Sequence, residues 1–181
     1  MAVEEQTNHN YTSNIYPPGN THRGQRLTIA DRKVTKLGFW LLKVGAPTDN
    51  LTLQIMKVSD DSIIVSKVWG NAGDLPTEAT YIEVEFETPV TINEEVRIVP
   101  KYESGDNDNC PAIRIQLEDV KADEWWTYGK PGAWSENTAF DTAYRYTYEE
   151  PPAAPPAKPH TFRLDPKPRQ RMSFHPNLKL G

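Results

Sequence analysis

The stretch YIEVEFE, residues 81–87, puts Ile82, Val84 and Phe86 on one face of an extended chain and Glu83, Glu85 and Glu87 on the other. Alternation with period two marks a strand with one dry face and one wet face, as in an antiparallel sheet. The pattern recurs on both sides of it. LTLQIMKV (51–58) turns Leu51, Leu53 and Ile55 inward, and EEVRIVP (94–100) turns Val96 and Ile98 inward. AIRIQLE (112–118) does so with Ile113, Ile115 and Leu117, and AFDTAYRYTYE (139–149) with Phe140, Tyr144, Tyr146 and Tyr148, interrupted at Thr142. KLGFWLLKV (36–44) is different: Leu37, Phe39 and Leu41 alternate with Trp40, Leu42 and Val44, so both faces are apolar. Such a strand is either central and covered on both sides, or its second face meets a partner; the covered arrangement is expected.

Turn signals punctuate these runs at Gly45–Asn50, Asp60-Asp61, Gly70–Gly73, Gly105–Asn109 and Gly129–Gly132. The intervals suit antiparallel meanders and Greek keys and leave no room for crossover helices. The expected fold is all-β: a two-sheet antiparallel jelly-roll sandwich of about eight or nine strands.

The composition changes twice along the 181 residues. Residues 1–24 are polar and carry Pro17-Pro18-Gly19, which reads as an N-terminal arm. Residues 25–149 hold nearly all the apolar periodicity and form the expected sandwich. Residues 150–181 read as a second arm, holding 8 of the 16 prolines. From Pro151 onward, six cationic side chains (Lys158, Arg163, Lys167, Arg169, Arg171, Lys179) face one acid, Asp165. That segment is +5, so the rest of a chain of net charge -5 carries -10.

The net charge gives no reason to expect a nucleic-acid partner. Cys110 is the only cysteine, which rules out an intramolecular disulfide and a thiolate metal cage. The N-terminus has no apolar leader-like stretch, and no apolar run approaches the roughly 20 residues that span a bilayer, so no membrane partner is expected. The sequons at Asn10 and Asn50 read as chance occurrences. His9, His22, His160 and His175 are scattered without metal-ligand spacing. With no nucleophile, P-loop or paired-carboxylate signature present, neither an enzyme nor a cofactor is expected.

Three stretches carry a resemblance: GQRLTIADRKVTKLGFWLLKVGAPTDNLTLQI (24–55), TYIEVEFETPVTINEEVRIVPKY (80–102) and GAWSENTAFDTAYRYTY (132–148). An aliphatic strand ends in Val44-Gly45-Ala46-Pro47 and leads into a Leu-Thr-Leu strand. A Trp-containing loop precedes the aromatic last strand. Over residues 25–148 the pattern resembles jelly-roll modules of phage and archaeal virus structural proteins and of bacterial surface proteins, which are similar to carbohydrate-binding modules. The resemblance implies a binding or virion-structural context more than any ligand.

Two loops invite a ligand. Trp125, Trp126, Tyr128 and Trp134 form a local aromatic cluster beside Asp123, Glu124 and Lys130. Aromatic faces stack on pyranose rings while polar neighbours hold hydroxyls, so a glycan is one candidate. Packing at the end of the sandwich and a protein contact are the others. Adjacent strand residues point to opposite faces, so Trp125 and Trp126 cannot share one platform. ESGDNDNC places Glu103, Asp106 and Asp108 in one loop, a spacing open to calcium but without the EF-hand pattern; a solvated turn is expected.

The proline-rich segment is biased to polyproline II and would reach about 95 Å if extended over its 31 residues. Ordering it costs about 1 kcal/mol or more per residue, which contacts must offset. Phe162, Leu164, Phe174 and Leu178 are spaced as apolar anchors among Arg163, Arg169 and Arg171. They point to an arm that docks on other protein subunits of the same assembly, a homo-oligomer or a capsid or tail lattice. The Glu83/Glu85/Glu87 row either keeps its face wet or receives such an arm. The expectation is a non-enzymatic structural protein of a virion, assembled in the host cytoplasm. The alternative is a carbohydrate-binding module for surface attachment.

Overall fold

A computed structural model of the chain describes residues 1–150. They form eleven strands and one 3-10 turn (Ala72–Asp74), with no α-helix among the described residues. The strands are β1 (Ala2–Gln6), β2 (Tyr11–Asn14), β3 (His22–Val44), β4 (Asn50–Lys57), β5 (Ile63–Asn71) and β6 (Thr80–Lys101). They continue with β7 (Cys110–Gln116), β8 (Trp125–Lys130), β9 (Ala133–Asn137), β10 (Asp141–Thr142) and β11 (Tyr144–Glu149). Every pairing is antiparallel. Nine strands begin at or after His22, and two more precede it.

The frame is one long antiparallel pair, β3 with β6. The first half of β3 pairs with the last half of β6 (Leu27 opposite Val96), flanked by β8 and β9 on one side and β4 and β5 on the other. The second half of β3 pairs with the start of β6 (Phe39 opposite Ile82), flanked by β11 and then β1. The end of β3 pairs with β7, which also receives β2 and β10. The ladder breaks register between Ile29 and Arg32 and again between Val34 and Lys36, and Asp31 lies there at φ 50°. Each break changes which residues face inward: Leu27 and Ile29 are odd, Val34 is even, and Leu37, Phe39 and Leu41 are odd again, all buried. Bulges of this kind bend a strand and raise its twist, so two strands can serve both halves of the fold. The inward residues of both halves join one core with Leu51, Leu53, Ile55, Ile113, Ile115 and the tyrosines of β11. Each buried aliphatic side chain there contributes on the order of 2 kcal/mol.

The opening stretch behaves as its alternation requires. Ile82, Val84 and Phe86 are buried, Glu85 and Glu87 are exposed, and Glu83 is half-buried. The second face of KLGFWLLKV is covered in part from within the chain. Trp40 meets Tyr81 at 4.8 Å between ring centres, and the Arg145 guanidinium lies over both rings. Tyr81 lies across Gly38, where an added Cβ would stand 2.5 Å from its hydroxyl oxygen, so only glycine leaves room for the ring. Leu42 and Val44 remain half-buried.

Residues 1–24, expected as an N-terminal arm, are built into the body. β1 lies along β11 with Glu4 opposite Tyr146, and β2 lies along β7 with Ser13 opposite Ile113. Ile15 is fully buried, and its N–H donates to the Pro111 carbonyl at 2.8 Å. Arg23 donates to Ser13, and Arg114 to Thr12. Edge strands bury little and need few apolar residues, so polar composition concealed them; Ile15 alone supplies a large aliphatic anchor to the core.

Candidate functional site

β8 pairs with the first half of β3, so the fate of each aromatic follows from register. Trp126 stands opposite Gln25 and Tyr128 opposite Arg23, on the inward face. Trp126 is buried in the core, stacks on Tyr128 at 4.5 Å and touches Phe140 at 5.9 Å. The Arg23 guanidinium lies 5.6 Å from each of the two rings. Trp125, opposite Arg26, belongs to the outer face, and so does Trp134 on β9, opposite Gly129 of β8. The four expected sugar-binding aromatics therefore divide two and two across the sheet.

On the outer face, each tryptophan is capped by an arginine. Arg26 lies 4.6 Å from the Trp125 ring centre, and Arg97 lies 4.6 Å from that of Trp134. Arg26 forms a fork onto Glu95, both contacts at 2.8 Å, and also reaches Glu136. Arg97 donates to Asp61 and Glu136, each at 3.0 Å. Asp61 in turn accepts from the Gly132 N–H at 2.7 Å, tying the β4–β5 turn to the β8–β9 turn. The lattice runs Trp125–Arg26–Glu136–Arg97–Trp134 and is closed by His22, whose ring meets Trp134 edge-on at 5.6 Å. Trp125 and Trp134 are half-buried, and the Trp134 Nε1–H has no protein acceptor among the described residues. Arg26, Arg97, Asp61 and Glu136 carry no sequence signal as a group. They come from four separate stretches, and only cross-strand register unites them.

The polar residues flanking the cluster do not gather around it. Glu124 is tucked against the Tyr144 hydroxyl at 2.7 Å, and burial holds its carboxyl above the usual range. Asp123 and Lys130 are exposed. His22 is buried, hydrogen-bonded to the Thr21 hydroxyl at 2.9 Å, and pulled down to about 4 by burial and by Lys101. Cys110 is buried, and burial pushes its thiol up to about 11.

The acidic residues are engaged locally. Asp106 accepts from the Asp108 N–H at 2.8 Å and from the Asn109 side chain at 3.1 Å, an Asx-type turn, while Glu103 pairs with Lys101. Among the described residues, no group of three or more His, Cys, Asp or Glu is placed to hold a metal ion. In the glutamate row, Lys36 bridges Glu83 and Glu85, Lys67 meets Glu87, and Tyr81 donates to Glu83. Two lysines already balance much of that row.

β5 pairs only with β4, so its other edge has no strand among the described residues. Ile63 and Val68 on it are 53% and 50% exposed. Val68 borders an open cleft with Asp49, Asn50, Thr52, Lys101 and Glu103. The expected arm anchors Phe162, Arg163, Leu164, Arg169, Arg171, Phe174 and Leu178 lie outside the described residues. No family model and no curated protein matches the chain.

Proposed function

We propose that this chain is a non-enzymatic structural protein of a large assembly, a virion decoration, minor capsid or tail-associated protein, joined to its neighbours through residues 151–181. In this reading the body is a jelly-roll module and the cationic segment is the clasp. One observation carries it: the chain's charge is divided, -10 over residues 1–150 and +5 over residues 151–181. Like-charged bodies repel, and a cationic arm with spaced apolar anchors overcomes that repulsion, first by steering and then by burial. The body is compatible with this division, since residues 1–150 supply their own core and their own strand partners. Truncation after Glu150 is the test. The shortened chain is expected to melt at the same temperature as the full chain and to lose incorporation into particles. Association of the full chain should also weaken as salt rises. Normal incorporation by the truncated chain would refute the clasp.

A second reading, attachment through a glycan, is favoured by the outer pair Trp125 and Trp134. Both rings are half-buried and stand beside charged groups able to bind hydroxyls. Retention on a glycan array, lost in Trp134→Ala, is its test.

A further inference from the structure

We infer that the free edge of β5 is the dock for the arm, and that residues 160–165 of a neighbouring copy add to it as an antiparallel strand. The inference rests on the clasp reading and names its receptor.

β5 differs from the other strands that have a single partner among the described residues. β1 has five residues, β2 four, β9 five and β10 two. Short edges offer few backbone groups to a foreign strand. β5 is longer, nine residues (IIVSKVWGN) without proline; it bulges at Ile64 and Trp69, keeps regular register from Val65 to Val68, and its only charge, Lys67, is paired with Glu87. Ile63, Ser66 and Val68 stand opposite Met56, Gln54 and Thr52, on the face turned away from Leu51, Leu53 and Ile55. All three are exposed. A row of open backbone groups beside exposed aliphatic side chains is what strand addition uses: main-chain bonds give affinity and alternate side chains give specificity.

The occupant is identified by pattern and charge. His160-Thr-Phe-Arg-Leu-Asp165 alternates, with Phe162 and Leu164 on one face and Thr161, Arg163 and Asp165 on the other. Pro159 and Pro166 bound it, and proline is tolerated at the ends of an edge strand but not within a paired one. Six residues span about 20 Å as a strand, within the length of β5. Phe162 laid opposite Val68 brings Leu164 opposite Ser66, beside Ile63, so the two apolar side chains lie along the exposed face of β5. Arg163 then falls opposite Lys67, where the two cations share Glu87, whose side chain is 82% exposed. A second β5 is the competing occupant, but bringing it up would join two bodies of charge -10, whereas the arm brings +5.

The experiment uses the full chain, with a photo-crosslinking benzoylphenylalanine at position 68 and an equal mixture of isotope-labelled and unlabelled copies. Crosslinks are expected to residues 160–165 and to join labelled with unlabelled chains. Two variants accompany it: Ile63→Lys with Val68→Lys, and Phe162→Ser with Leu164→Ser. Each pair should weaken self-association about tenfold or more without moving the melt, because Ile63 and Val68 are half exposed. If only the Phe162/Leu164 pair weakens association, the arm remains a clasp and β5 is not its dock. If neither pair does, or the full chain does not self-associate, the clasp between copies falls as well. Crosslinks from β5 to β5, crosslinks confined to one copy, or an effect of the β5 pair alone would each overturn the assignment.

Discussion

The Arg97 guanidinium lies 4.6 Å from the centre of the Trp134 indole while it donates to Asp61 and Glu136 at 3.0 Å each. Its side chain is only 7% exposed, so the charge is desolvated and depends on those two carboxylates. Removing one member of a buried ion pair costs more than the pair contributes, because its partners stay behind uncompensated. Arg97→Ala should therefore destabilise the fold by about 3 kcal/mol, toward the low end for such pairs because Asp61 and Glu136 keep some water. Arg97→Lys keeps the charge but loses the planar fork and should fall between the two. Urea unfolding of the three proteins measures it. A loss under about 1 kcal/mol for the alanine variant would mean that the lattice does not hold the two turns together.

His22 predicts a pH dependence. Burial first, then Lys101, lowers its pKa to about 4, against the opposing pull of Glu103, Gln54 and Asp61. An unfolded histidine takes its proton near 6.5. As pH falls through that value, the unfolded chain gains a proton that the folded chain refuses, so stability declines down to about pH 4 and then levels. Between pH 7 and pH 5 this group alone should cost about 2 kcal/mol. His22→Gln should lack that component. Other carboxyl groups, such as Glu124, are present in both proteins and cancel in the comparison. Parallel pH profiles for the two proteins would disprove the neutral, buried state of His22.

Period-two alternation made the strands legible because a half-buried strand must alternate, as Ile82, Val84 and Phe86 do. The bends were not legible. Ile29, Val34 and Leu37 change parity at two bulges, and nothing in ADRKVT shows where the extra residues fall. The aromatic cluster was half legible. Opposite faces for Trp125 and Trp126 follow from strand geometry, but the partners Arg26 and Arg97 are set by register among β3, β6, β8 and β9. Residues 1–24 escaped because an edge strand laid on another strand gains its bonds from the backbone, which leaves little trace in side-chain pattern.

Ile15 tests that last point. It lies in the segment expected to be an N-terminal arm, yet it is fully buried and belongs to the core. Ile15→Ala should cost about 3 kcal/mol through lost transfer energy and the cavity left behind. Chemical unfolding gives the value. A change within about 0.5 kcal/mol, typical of surface positions, would return residues 1–24 to the status of an arm.

Trp126 and Trp125 are neighbours in sequence with opposite expected phenotypes. Trp126 fills the core against Tyr128 and Phe140, so Trp126→Ala should cost about 3–5 kcal/mol and lower the melting temperature sharply. Trp125 is half-buried and held mainly by Arg26, so Trp125→Ala should cost about 1 kcal/mol, the size of an exposed cation–π contact with some lost packing. The same pair decides the glycan reading. A sugar platform on the outer face would lose retention in Trp125→Ala or Trp134→Ala while the protein stays folded. Loss only in Trp126→Ala would track unfolding and say nothing of a sugar. A glycan array on which the unaltered protein retains nothing would remove the attachment reading and leave the outer tryptophans as the clamp between the β4–β5 and β8–β9 turns.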